Sequence, residues 1–144
     1  MILLKQSDYA AMVAHGLQEA PDEACGLLAG HAEGDVRRVE KVYLLENEDH
    51  SPAHFTMSPM AQLQAVQDMR RLGLQPLGNF HTHPATPSRP SEEDKRLALD
   101  PAASYMILSL MDPEQPVLHS FRIRQQVAEP EEVQLVEDTA CRSL

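Results

Sequence analysis

Residues 79–94, N-F-H-T-H-P-A-T-P-S-R-P-S-E-E-D, bring together groups that could hold a metal ion. His81 and His83 lie two positions apart, and side chains at i and i+2 of an extended strand share a face. Two imidazoles would then stand side by side, with Thr82 facing away. The seven residues 84–90 include three prolines, which stiffen the return of the chain at little entropic cost. Ser91 can open a helix, placing Asp94 in its first turn. Two nitrogens and one carboxylate oxygen suit Zn²⁺, whose catalytic sites keep three protein ligands and leave a fourth position to water. Taken singly, the features have blander meanings: a strand can carry H-x-H by chance, and Ser-Glu-Glu-Asp is an ordinary acidic helix start. Their conjunction in one short window favours a metal site.

Water activated at such a site needs a base, usually a carboxylate that passes the proton on to a leaving amine. With 22 acidic residues in the chain, spacing alone cannot choose one. Glu23 stands out because it directly precedes the apolar segment CGLLAG, which could carry an acid to the edge of a core. The competing interpretation of Pro21-Asp22-Glu23 is a solvated turn.

These residues need a framework, and the pattern predicts an α/β protein. Ser7 is placed to cap a helix over 8–19, with Met12, Val13 and Leu17 near one face and Pro21 ending it. CGLLAG (25–30) is expected as a buried strand and 36–46 as a longer, partly exposed one, followed by a polar loop over 46–57. Ser58-Pro59 starts a helix expected to reach Leu72, with Gly73 as its stop. Residues 76–83 are expected as a strand and 91–99 as a short helix halted before Pro101. SYMILSLM (104–111) is the most apolar segment and is expected as a central strand, with 117–124 returning beside it and 131–138 forming an edge. No repeat or linker interrupts residues 1–144, so one domain is expected.

Composition narrows the partners. With 12 Lys+Arg against 22 Asp+Glu, the formal charge is −10. No basic stripe is present of the kind that binds a phosphate backbone, so nucleic acid is not expected as a partner. A small protein with a positive face fits better. No run approaches the ~18 apolar residues of a membrane span, and the N-terminal apolar run is too short for a signal peptide. A cytoplasmic location is the resulting expectation. Cys25 and Cys141 make no disulfide framework.

The spacing His81-x-His83-x7-Ser91-x2-Asp94 resembles the signature of the JAMM, or MPN-plus, zinc metalloproteases. The segment P-D-E-A-C-G-L-L-A-G (21–30) is similar to the one carrying that family's catalytic glutamate. The likeness continues through 47–55 and 104–123. It implies a cytidine-deaminase-like three-layer sandwich, a mixed sheet with flanking helices. It further implies zinc on His81, His83 and Asp94, with Glu23 deprotonating the water and Ser91 donating a hydrogen bond to the developing oxyanion. The expected substrate is a ubiquitin-like, β-grasp sulfur carrier of ThiS/MoaD type, cut after its C-terminal Gly-Gly. Three other functions compete: a JAB-type DNA-repair-associated protein, a zinc deaminase, and a module that binds the carrier without cutting it. A deaminase would need H-x-E and P-C-x-x-C, and neither occurs.

Other residues are expected closer to ordinary roles. Cys25 could close the metal site as a fourth ligand, but a packed thiol is the simpler expectation. His15, His31, His50, His54 and His119 have no spacing partner and are expected on loops or the surface. Asn47 and Ser51 lie in a loop resembling a substrate-facing segment of the family and are assigned no role.

Overall fold

A computed structural model describes residues 1–138; Cys141 lies outside the described residues. The elements are β1 (Ile2–Lys5), α1 (Gln6–Glu19), β2 (Cys25–Glu33), β3 (Val36–Leu45), α2 (Pro59–Leu72), β4 (Gln75–His83), α3 (Glu92–Leu97), β5 (Ser104–Ser109), β6 (Val117–Arg124), β7 (Val127–Glu131) and β8 (Val133–Val136). All eight strands form one mixed sheet in the order β7-β6-β5-β4-β2-β3-β1-β8. As the apolarity of SYMILSLM predicts, β5 is interior, parallel to β4 on one side and antiparallel to β6 on the other.

The two sheet edges are neighbours in the chain. β7 ends at Glu131 and β8 begins at Val133, although they occupy opposite ends of the strand order. The sheet therefore coils back on itself, as strongly twisted sheets of this size tend to do. The Ile2 N–H donates to the carbonyl of Glu132 (2.8 Å), tying β1 to this crossing.

Helices cover both faces. α1 lies over a core of Ile2, Leu4, Met12, Leu28, Phe80, Met106 and Leu108. Gly16 is the crossing point: a Cβ there would come within 2.6 Å of Leu110 Cδ1 and 2.9 Å of Thr82 Cγ2, so α1 approaches closely only because this residue has no side chain. On the opposite face α2 packs Ala65 and Met69 against Ala29. Ala98, just past α3, packs against Ile107, Phe121 and Ile123. Among the described residues no helix is long and apolar enough to cross a membrane.

Where local signals are strong the elements start and stop as expected. The Ser58 side chain accepts the Ala61 N–H, Pro59 opens α2, and Gly73 ends it in the left-handed conformation at φ 73°. Several expectations need correction. Ser7 does not cap α1: the helix starts at Gln6 directly after β1, Lys5 is the N-cap residue and makes no side-chain capping bond, and the Ser7 N–H donates to Asp138 Oδ1. No strand was expected at β1, because four residues carry too little periodicity to announce one. The edge expected over 131–138 shortens to β8, and before it comes β7, joined to β6 by a turn in which Gln125 and Gln126 both take positive φ. That turn shape is normally announced by Asn-Gly or Asp-Gly. α3 runs only to Leu97, two residues short of the expected end, and β5 stops at Ser109.

Candidate metal centre

β4 ends in the middle of the sheet, and its last three residues sort by face. Thr82 points toward α1, while His81 and His83 point to the other side, as alternation requires. Thr82 does more than face away: its Oγ1 accepts the Ala24 N–H at 2.7 Å and its N–H donates to the Ala24 carbonyl at 2.9 Å. Cys25 pairs with His81 in the antiparallel register, so stepping back two residues sets Glu23 opposite His83 and on the same face. An acid from the start of one strand thus meets the histidines at the end of another.

Asp94 reaches the same point from α3. Its Oδ2 lies 3.2 Å from His81 Nε2 and 3.1 Å from His83 Nε2, and the two nitrogens are 3.1 Å apart. The structure therefore brings together the three residues singled out as ligands, as a group that could hold a metal ion. Zinc bonds of about 2.0–2.1 Å in a tetrahedron imply ligand separations of about 3.3–3.4 Å, close to those observed. Lone-pair chemistry agrees. The Pro87 carbonyl accepts a hydrogen bond from His83 Nδ1 (2.9 Å), so in neutral His83 the Nε2 turns a lone pair toward the Asp94 carboxylate. Only a proton or a cation between those atoms makes that contact favourable. Burial opposes charge on both partners. Yet Asp94, bonded by His81, His83 and the Ser91 N–H, is held well below the usual carboxylate range, and His83 is shifted upward.

The return loop is anchored as well as stiff. Ser88 Oγ donates to the Ile107 carbonyl (2.6 Å), Ser109 Oγ to that of Thr86 (2.6 Å), and His119 Nδ1 to that of Ser88 (3.0 Å). These bonds pin residues 84–90 onto β5 and β6, whose ranges hold Ile107, Ser109 and His119, and they flank the Pro87 carbonyl that orients His83. Ser88, Ser109 and His119 carry no motif signal, because their partners lie 19 to 31 residues away. Ser88→Ala is expected to weaken metal binding about tenfold, the lower end for a ligand-orienting contact, as measured by competition with a chromophoric chelator.

Ser91 forms a reciprocal capping box with Asp94: its Oγ accepts the Asp94 N–H (3.0 Å) and its own N–H donates to Asp94 Oδ2 (2.9 Å). Capping occupies an acceptor lone pair of the hydroxyl and leaves its proton free, so capping and donation to a substrate are compatible. Glu23 is only 4% exposed, and its Oε1 has no hydrogen-bond partner. Burial, reinforced by Asp94 and opposed by His83, pushes its carboxyl up to about 8. That is the range in which an acid can both take and give a proton near neutrality.

The remaining candidates separate cleanly. Cys25 is fully buried with its Sγ 3.8 and 3.7 Å from the carbonyls of Leu45 and Glu46, and burial pushes its thiol up to about 12. It is a packed thiol outside the three-residue cluster. His54 lies exposed in the 46–57 loop as expected, bonded to Asp49, whereas His15 sits on α1 and bonds to the Leu45 carbonyl. Phe55 stacks on the His81 ring at 4.7 Å. A cavity of about 210 Å³ opens beside the cluster, walled by Phe55, Leu97, Tyr105 and Ile123 and bordered by Glu93 and His54.

Two imidazoles from β4 and a carboxylate from α3 converge beside a pocket, next to a buried acid, and an arrangement of this kind suits a hydrolase. Residues 5–124 match the family described as prokaryotic homologs of the JAB domain. The chain is 37% identical over 127 residues to the CysO-cysteine peptidase of Mycobacterium tuberculosis, covering 88% of this chain and 86% of that one. It is 42% identical over 82 residues to a probable TtuB-protein conjugate cleaving protease of Thermus thermophilus, covering 56% and 52% respectively. The solution structure of a Desulfitobacterium hafniense protein superposes with a TM-score of 0.89 at 54% identity, over 96% of this chain and 94% of that one. This chain belongs to the prokaryotic JAB-domain family, and it is a hydrolytic enzyme.

Proposed function

We propose that this chain is a zinc-dependent peptidase that hydrolyses the bond after the C-terminal Gly-Gly of a ubiquitin-like sulfur-carrier protein. The observation that carries this reading is the meeting of His81 Nε2, His83 Nε2 and Asp94 Oδ2 within 3.2 Å of one another beside an open pocket. Zinc held by these three residues would acidify a water and polarise the scissile carbonyl.

The chain supplies the rest. Glu23, with one carboxylate oxygen unbonded, takes the proton of the attacking water and returns it to the departing amine. Ser91, whose hydroxyl proton is not used in capping, donates to the oxygen on which negative charge develops. The Asp94 carboxylate is oriented by the Ser91 N–H, and the His83 ring by Pro87. The cavity beside the cluster, about 210 Å³, has a size that suits a glycine tail. The substrate class is supported by the relatives, one a CysO-cysteine peptidase and the other a probable protease of TtuB-protein conjugates.

The test is incubation with β-grasp carriers extended past Gly-Gly, with products weighed by mass spectrometry. The expected product is the carrier ending at its second glycine, lost with a chelator and restored by zinc. Cleavage that survives complete zinc removal, or that occurs elsewhere in the tail, would refute the proposal.

A further inference from the structure

Glu23 raises a question of aim. Its Oε1 has no partner, so its own bonds do not hold the carboxylate toward the histidines. Its direction has to come from the main chain. Both backbone groups of Glu23 are tied to the 46–57 loop. Its N–H donates to the Ser51 carbonyl at 2.8 Å, and its carbonyl accepts from Asn47 Nδ2 at 3.0 Å.

Asn47 is 4% exposed and uses its whole amide. Besides Glu23, Nδ2 donates to the His54 carbonyl at 3.0 Å, while Oδ1 accepts the N–H groups of Asp49 and Thr56 at 3.0 Å each. Two donors and two acceptors are all that a carboxamide offers, so the side chain has no freedom to turn. Phe55, which stacks on His81, lies between two of these anchored residues. One buried amide therefore joins the main chain of the acid to the loop that packs on a metal-facing ring.

We propose that Asn47 is a positioning residue that aims the Glu23 carboxylate and seats Phe55 against His81, so that its loss lowers turnover rather than substrate or metal binding. This rests on the peptidase reading for its kinetic consequence, but not for the anchoring itself. Asn47→Asp keeps the acceptor side that organises the loop and turns an oxygen toward the Glu23 and His54 carbonyls, removing both donated bonds.

The experiment compares parent, Asn47→Asp and the milder Asn47→Ser, whose hydroxyl can donate to only one of the two carbonyls. In Asn47→Asp, kcat is expected to fall about 10²-fold, the cost of a displacement of about 1 Å, with KM within about threefold. One zinc per chain should remain. Asn47→Ser should lie between this variant and the parent. Asp49→Ala, which breaks only the exposed His54–Asp49–Thr56 bonds, should keep kcat within about twofold of the parent. Amide exchange on the metal-free protein tests the anchoring without substrate. In Asn47→Ser the Glu23 and Thr56 amides should exchange at least about tenfold faster, with Leu28 in β2 unchanged.

Parental kcat in a folded Asn47→Asp or Asn47→Ser variant would overturn the proposal, as would unchanged exchange at Glu23. An equal loss of kcat in Asp49→Ala would do the same, because any damage to the loop would then suffice. A parent that cleaves no Gly-Gly substrate would count against the peptidase assignment instead, with exchange still deciding the anchoring.

Discussion

Glu23→Gln is expected to reduce cleavage by about 10²- to 10⁴-fold, the usual contribution of a positioned acid–base group, while zinc content stays at one per chain. The same change should stabilise the metal-free protein at alkaline pH. Burial raises the Glu23 carboxyl from 4.5 to about 8, so between those values the folded chain binds a proton that the unfolded chain has released. Stability then falls as pH rises through that window. Above pH 8 the native protein carries a buried charge that glutamine, of nearly the same shape, does not. Melting curves of metal-free protein should therefore show the variant about 4 °C or more above the parent at pH 9, and level with it at pH 4. Zinc should shrink the gap, because a nearby cation favours ionised Glu23. A variant that melts with the parent at both pH values would mean that Glu23 is better solvated than its 4% exposure implies.

Asp94→Asn should have the opposite sign on stability and an equal or larger effect on function. Replacing an anionic ligand by a neutral amide is expected to weaken zinc binding on the order of 10³-fold, and cleavage should vanish with the metal. In the metal-free protein Asp94 is held below its ordinary value by His81, His83 and the Ser91 N–H, against the cost of its burial. A depressed carboxyl contributes stability above its unfolded value of 3.8, and that contribution is lost as pH falls through its folded value. The variant should therefore be less stable than the parent at pH 7 by about 1.5–3 kcal/mol, the worth of a hydrogen bond to a charged group. The difference should narrow toward pH 3. Denaturant titrations at the two pH values, with zinc affinity by chelator competition, check both halves. Two carboxylates in one site thus pull stability in opposite directions. One is paired with histidines and the other is left with an unbonded oxygen.

The three clustered residues were legible because each depends on neighbours close in the chain. Alternation along β4 alone puts His81 and His83 on one face, and a serine cap with acids in the first turn places Asp94 at the head of α3. The limits of α2 follow from Ser58, Pro59 and Gly73 for the same reason. Glu23 stood out only through its place before CGLLAG, and the family resemblance settled the choice among 22 acids.

What stayed hidden depends on partners far along the chain. β1 becomes a strand only because β3 and β8 flank it, and the Gln125-Gln126 turn holds its unusual conformation between the paired strands β6 and β7. The bond from Thr82 to Ala24, the anchoring of residues 84–90 by Ser88, Ser109 and His119, and the four-bonded amide of Asn47 all join segments that meet only when the sheet assembles. Residue type and spacing along 144 positions determined which groups could bind a metal and which faces they share. Tertiary structure decided how those groups are aimed and charged, because hydrogen bonds across strands and burial in a common core act between residues that no sequence period connects.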